Sequence, residues 1–321
     1  MTLSLTICLG VLPAIAADVD YKKIAGIWFT PIDDPWTNAV HQGVQKAAQE
    51  VGAQYDFTEK VGSADFERVI REYAERGYGI IFGDAFGAEE ACRRAAKDYP
   101  EIAFSMGSAK GPVEPNFAVW DSYTYQAGYL AGMIAGSMTK TNVIGDVGGM
   151  AIPEANRLHN AYILGAKEMN PSVRVKIAFI GTFFDPPKVK EAAIAQIEAG
   201  ADIIFAERYG GIDAAKAKGV LAIGNMVDQN VLAPETVVTG PVWNFYPTAK
   251  ATLDDVYAKR FKAVDYKKYN LMPAGGSLLA PYHGFEKKIP QKVKDAVDAR
   301  YGEIMTGKFM VPFIDDIPKS E

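Results

Sequence analysis

One pattern is written twice along this chain, a short apolar run followed by a stretch with helical period, and a helix of small residues joins the two copies. In the first copy Lys23–Phe29 (KIAGIWF) is long enough for a buried strand. Pro35–Val51 then places Trp36, Ala39, Val40, Gly43, Val44, Ala47 and Val51 at three- and four-residue steps, which predicts a helix. Strands are expected at Gln54–Thr58, Gly79–Gly83, Ile102–Met106 and Phe117–Trp120. Between them lie a helix capped by Asp65 and another over Ala88–Lys97. The second copy has strands at Val143–Val147, Val173–Ile180, Asp202–Ala206, Val220–Gly224 and Val237–Thr239. Its helices are Pro153–Met169, Pro186–Ala199 and Asp213–Lys218, and a last helix covers Gln291–Thr306.

Alternation of this kind implies α/β architecture, with parallel sheets covered on both faces and right-handed crossovers. At 321 residues the chain has room for two such units. No Pro-, Gly- or Ser-rich linker separates them, so two lobes joined by short crossings fit better than two independent domains. The splice is Gln126–Gly136, where Ala127, Ala131, Gly132, Ala135 and Gly136 line one packing face. The expected division is residues 22–125 with about 244–275 as lobe one, and 126–243 with about 276–321 as lobe two.

Residues 1–17 stand apart. An apolar run ends in Ala14-Ile15-Ala16 before Ala17, the pattern of an export signal. Met1–Gly10 has no Lys or Arg, so the usual positive flank is missing, and a buried terminal strand or helix is the alternative. Pro13 and the shortness of the run argue against a membrane span, which needs about 20 apolar residues. Cys8 is a candidate for lipidation, although Ile7 before it is bulky for that signal. Cys92 is the other cysteine and sits in a helical pattern, so no disulfide is expected. A net charge of -5 without a basic run excludes the usual footprint of a nucleic-acid-binding protein.

In open parallel sheets ligands collect beyond the carboxyl ends of the strands. The turns there read TPIDDPWTNA, DAFGAE, Trp120-Asp121, TFFDPP, ERYGG, NMVDQ and PVWNF. Almost every one has an aromatic, and most have an acid or amide, which suits a cleft that stacks a flat ring and bonds its edges. Trp28 and Phe29 are expected in the lobe core, and Trp36 at the cleft mouth. Phe183 and Phe184 are adjacent, so one of them faces the ligand. Tyr209 fits either setting, and Trp243 fits core and cleft equally. Asp33, Asp34, Asp121, Asp185, Glu207 and Asp228 can accept ligand hydrogen bonds or cap helices, and capping suits Asp185 before Pro186.

The motifs of the common hydrolases, P-loop enzymes and zinc peptidases are absent. His41, His159 and His283 share no metal-ligand spacing. Neither a catalytic group, a metal nor a cofactor is expected.

From about Lys22 to Pro318 the blocks DDPW, QAGYLAG, NVIGDVGGMAIPEANRLHNAYILGAKEMNP, GTFFDPPKVKEAA, GADIIFAERYGG and AIGNMVDQNVLAPETVVTG resemble, in order, those of the basic membrane protein family. These are solute receptors of ABC transporters. The resemblance implies the type I periplasmic-binding fold, two Rossmann-like lobes joined by a hinge, in an exported monomer that delivers a ligand to a membrane permease. Well-known members bind purine nucleosides. The resemblance places Trp36 where an aromatic stacks on the base, Asp33 where an acid helps to bind it, and Asp121 near a further polar ligand position.

Departures from the family pattern sharpen the ligand. Met226 stands where nucleoside binders usually carry an acid for the ribose, and Trp243 where they usually carry a lysine. Neither can replace a charge around a sugar. Trp36 in place of Phe, and ERYGG in place of a small loop, also suggest a smaller, flatter pocket. The expected ligand is a free purine-type nucleobase such as adenine. Trp36 and either Phe183 or Tyr209 would sandwich it, and Glu207, Asn225 and Asp33 would bond its edge. The alternatives are a purine nucleoside receptor and a sensory ligand-binding module.

Overall fold

The computed structural model describes residues 18–321. The expected export signal and Cys8 lie outside the described residues. The first series runs β1 (Asp20–Ile27), α1 (Pro35–Glu50), β2 (Gln54–Thr58), α2 (Phe66–Glu75), β3 (Tyr78–Asp84), α3 (Glu89–Asp98), β4 (Ala103–Gly107) and β5 (Phe117–Trp120). The second begins with α4 (Tyr125–Met138) and continues β6 (Val143–Gly148), α5 (Pro153–Met169), β7 (Arg174–Phe179), α6 (Pro186–Glu198), β8 (Ile203–Ala206), α7 (Gly211–Lys218), β9 (Leu221–Ile223) and β10 (Val237–Thr239). Then come β11 (Pro241–Trp243), α8 (Tyr246–Tyr257), β12 (Ser277–Leu279) and α9 (Gln291–Met305).

Each series folds into a five-stranded parallel sheet. The first has the order β2-β1-β3-β4-β5, and the second, read from its other edge, β7-β6-β8-β9-β10. The topology is therefore the same in both. In each, the chain leaves the first strand to one side and returns to the other, and the strand ends diverge at that switch point to leave a crevice. Both sheets are covered on two faces. In the first, Val40, Val44, Trp120, Phe245 and Leu253 pack on one side and Phe66, Ile70, Cys92 and Ala95 on the other. The free Cys92 is thus a small core residue.

The splice helix explains how the second lobe starts. A Cβ at Gly132 would collide with the Tyr162 carbonyl, one at Gly136 with Ala166, and one at Gly165 with Tyr129. Helices α4 and α5 thus meet backbone to backbone. A strip of glycines permits this approach, and any larger residue forbids it.

Two features go beyond the elements read from the sequence. Helix α8 packs on α1 beside the first sheet, and β11 pairs with β12 in an antiparallel ribbon. Asp65 also differs from expectation. Its side chain makes no cap bond and instead pairs with Arg68 at 3.1 Å. Asp185 does cap α6, accepting from the Lys188 amide at 3.1 Å. Among the described residues no helix is long and apolar enough to cross a membrane.

Candidate functional site

The two switch points face each other across a cleft of about 380 Å³. This lies in the lower part of the roughly 300–1,000 Å³ range of small-molecule sites. The first lobe contributes Phe29, Thr30, Asp34 and Trp36 after β1, and Asp84 and Phe86 at the end of β3. The second contributes Met150, Ile152 and Glu154 after β6, Thr182, Phe183 and Phe184 after β7, and Arg208 after β8.

Local sequence places Trp36. Asp34 caps α1, its carboxylate accepting from the Trp36 amide at 3.1 Å and the Thr37 amide at 3.5 Å, and Pro35 fills the first helical position. These are the usual signals for a helix start. The Trp36 ring leans on Trp243 (4.6 Å between centroids) and meets the edge of Phe86 (5.9 Å). Trp243 is 2% exposed and donates its indole N–H to Asn270 at 2.8 Å. It therefore stands behind the cleft and supports Trp36.

The other residues expected at the site have distinct positions. Phe183 lines the cleft, and Phe184 beside it is half exposed at the mouth. Asp33 is exposed, and its carbonyl accepts from the Tyr209 hydroxyl at 2.5 Å, a bond that ties the lobes together at the rim. The buried acid of the pair is Asp34, because the cap turns it inward. Glu207 is 3% exposed and does not line the cleft. It accepts from the Gly149 amide at 3.0 Å and from Arg208 Nε at 2.9 Å. Asn225 lies deeper, donating to the Glu207 carbonyl at 3.2 Å. Asp121 is paired with Arg157 at 3.1 Å. Of the expected set, the structure brings Trp36 and Phe183 to the cleft and stations the others at its rim or behind it.

Phe29, expected in the core, stacks on Phe66 at 4.7 Å and also lines the cleft. Trp28 is buried as expected. Asp84, Glu154 and Arg208 were not singled out in the sequence. Asp84 ends β3, Glu154 is in the first turn of α5 and Arg208 lies in the turn after β8, so closeness to the carboxyl end of a strand was the only available signal.

The electrostatics follow from burial. Burial pushes the Asp84 carboxyl up to about 7, against the pull of the Phe86 amide and the Trp36 indole N–H. Burial also lifts Glu154 to about 7, with Asp121 and Glu207 adding repulsion. Asp34 is raised by burial, with Arg208 across the cleft opposing. Near neutral pH such a site offers carboxyls that donate as well as accept. Arg208, fixed through Nε by Glu207, lies over the Phe183 ring at 5.1 Å. A cleft of this kind can hold a flat ring between aromatics and bond its edges. Among the described residues no group of His, Cys, Asp and Glu could hold a metal ion.

Known proteins are similar over most of the chain. A purine-binding protein of Brucella abortus is 30% identical over 320 residues, covering 95% of this chain and 87% of its own length. A candidate ABC transporter glucose-binding protein of Haloferax volcanii is 30% identical over 294 residues, covering 89% of this chain and 73% of its own. A solved ABC transporter solute-binding protein of Conexibacter woesei superposes with a TM-score of 0.74 at 26% identity, covering 90% of this chain and 98% of its own. A transcriptional activator of the comK gene from Bacillus halodurans has the same fold, with a TM-score of 0.74 at 22% identity, covering 89% of this chain and 99% of its own. The family described as ABC transporter substrate-binding protein PnrA-like matches residues 24–271. This match, the twice-repeated sheet order and the cleft between facing switch points agree: the chain belongs to the Bmp family of ABC transporter substrate-binding proteins, receptors rather than catalysts.

Proposed function

We propose that the protein is the exported receptor of an ABC importer and that its ligand is a free purine-type nucleobase such as adenine, handed to a membrane permease. Two relatives of equal identity bear different ligands in their names, a purine and glucose, so the choice must rest on the cleft. The observation that carries it is the pairing of Trp36 in one wall with Phe183 in the other, around a space of about 380 Å³ bordered by Asp84, Glu154 and Arg208. Aromatic faces on both sides suit a planar heterocycle, and base stacking contributes about 1–3 kcal/mol per base. A carboxyl that titrates near 7, as Asp84 does, suits the adjacent acceptor nitrogen and amino group of adenine. As the acid it donates to the nitrogen, and its carbonyl oxygen accepts from the amine.

The case against a nucleoside is the apolar character of two positions. Met226 is 1% exposed and Trp243 2%, both in the core behind Trp36. By resemblance these are the positions where nucleoside binders carry an acid and a lysine, and a buried Met and Trp supply neither charge. Isothermal titration against adenine, adenosine, guanosine, ribose and glucose tests the assignment. The expected order puts adenine at least about tenfold, or 1.4 kcal/mol, ahead of adenosine, with no heat from ribose or glucose. Tighter binding of adenosine would replace the nucleobase reading with that of a nucleoside receptor, and glucose binding would remove both.

A further inference from the structure

The chain passes between the lobes at Asp121–Thr124, which links β5 to α4, and along the ribbon β11–β12. The segment after α9 folds back onto the first of these crossings. Phe313 stacks 6.3 Å from Tyr123 and meets Tyr125 edge-on at 5.6 Å. Arg157 of α5, its side chain 4% exposed, is held between the two. Its guanidinium lies 4.7 Å from the Tyr123 ring and 4.5 Å from the Phe313 ring. Its Nη2 is 3.1 Å from Asp121, and its Nε is 3.2 Å from the carboxylate of Asp315. The ammonium of Lys267 approaches the same two rings at 4.8 and 4.4 Å. Lys267 lies two residues past Asp265, which is bridged to Val119 of β5 in the first lobe.

Beyond Phe313 the segment is tied to the second lobe. Asn156 donates to the Asp315 carbonyl at 2.9 Å, and Asn160 to the Asp316 carbonyl at 2.8 Å. The Ile177 amide donates to Ser320 Oγ at 3.2 Å, and the Glu321 amide donates to the Val175 carbonyl at 3.0 Å. Both bonds lie along β7, the edge of its sheet. One stretch of nine residues (313–321) is thus fastened to the second lobe at its far end and to the crossing at its near end.

We propose that residues 313–321 are a clasp on the crossing at Asp121–Thr124, that Arg157 is the positioning residue through which the clasp acts, and that together they set how far apart the lobes stand before ligand arrives. A buried guanidinium with two carboxylates and two ring faces has one good arrangement, and losing a partner strands its charge. Any rotation at the crossing moves Asp121 and Tyr123 relative to Arg157 and breaks that arrangement. Glu154 sits one turn before Arg157 on α5 and lines the cleft, so the same shift reaches the ligand. A receptor whose binding-competent state is only partly populated loses apparent affinity in proportion.

The test measures lobe separation directly. Spin labels on Lys97→Cys and Lys216→Cys, both exposed, in a Cys8→Ala, Cys92→Ala background report the distance between lobes without ligand. The parent should give one narrow distribution. Deletion of 313–321 and Asp315→Asn should give longer, broader ones, with adenine affinity falling on the order of 5- to 50-fold. Arg157→Lys keeps the charge but loses the fork, and should fall between. Unchanged distributions in folded variants would overturn the proposal and leave the segment as a cover for the β7 edge. So would a change of affinity without a change of distance. If the deletion does not fold, Asp315→Asn, which removes one charge, decides. The distance readout needs no ligand, so it stands whether or not adenine proves to be the ligand.

Discussion

Behind Trp36, in the first lobe, stand more aromatics; behind Arg208, in the second, stand more charges. Trp243 supports Trp36 and is itself packed against Trp120 (5.7 Å) and Phe245 (5.4 Å). Arg208 is fixed by Glu207, and deeper in the same lobe His159 and Asp146 are a fully buried pair 2.9 Å apart. One wall is held by packing, which is non-directional and tolerates small shifts. The other is held by charge-assisted hydrogen bonds, which fail as a unit when one member is lost. The contrast suits the work each wall is assigned: a stacking surface needs only a firm flat face, whereas a group that bonds a ligand's edge needs a fixed direction.

The largest expected effect breaks the packed wall from behind. Trp243→Ala should cost about 3–5 kcal/mol of stability, the range for emptying a buried aromatic site, and should weaken ligand binding by loosening Trp36. Chemical denaturation and titration on the same sample check both, and an unchanged affinity would separate Trp36 from its support. Glu207→Gln comes next. It removes the hydrogen-bonded counter-charge of Arg208, leaving it Asp34 across the cleft and Glu154 in its own lobe, and should cost about 3 kcal/mol, with Arg208 free to swing. A loss no larger than that of an exposed ion pair, below about 1 kcal/mol, would show the second wall to be softer than described. Trp36→Ala should weaken adenine binding by about 1–3 kcal/mol with a smaller effect on stability, and equal losses in both would mean that Trp36 serves the fold alone.

The last expected effect is of another kind, a dependence on pH. Asp84, pushed up to about 7, keeps its proton in the folded state between its ordinary value near 3.8 and 7. Over that window the folded protein binds more protons than the unfolded chain. Stability of the ligand-free protein should therefore fall as pH rises from about 4 to 7, by at most about 1.4 kcal/mol per pH unit for each such group, and level off above. Glu154, also lifted to about 7, acts in the same direction. Asp84→Asn should flatten the curve of melting temperature against pH, and a slope unchanged in Asp84→Asn would remove Asp84 as its source.

The fold was legible because it is carried by patterns that repeat. Apolar runs gave the strands, three- and four-residue spacing gave the helices, and the glycine strip marked the α4–α5 contact. The site was only partly legible. Trp36 could be read because it opens a helix just beyond a strand end, and Phe183 as one of two adjacent aromatics of which one was expected to face the cleft. The resemblance favours Asp33, yet Asp34 is the acid that lines the cleft, since which of two adjacent acids turns inward depends on the cap of α1. Glu207 and Arg208 pose the same difficulty: the acid is used up in holding its neighbour, and only the neighbour lines the cleft. Trp243 reads as a ligand contact or as core until Trp36 is seen resting on it. Phe313 and Asp315 meet Arg157 across more than 150 residues of chain, a pairing with no local signature.

The seam between α4 and α5 also bears on how such a protein can be rebuilt. Where the two helices touch at Gly132, Gly136 and Gly165, each faces the other helix's backbone, so a side chain brought to any of these positions by exchanging one helix alone would strike backbone that cannot repack. A chimera meant to give this cleft a new second wall must take Tyr125–Met138 and Pro153–Met169 from one parent and place its junction before Tyr125. At those three glycines, even a single methyl group from a foreign sequence would have nowhere to go.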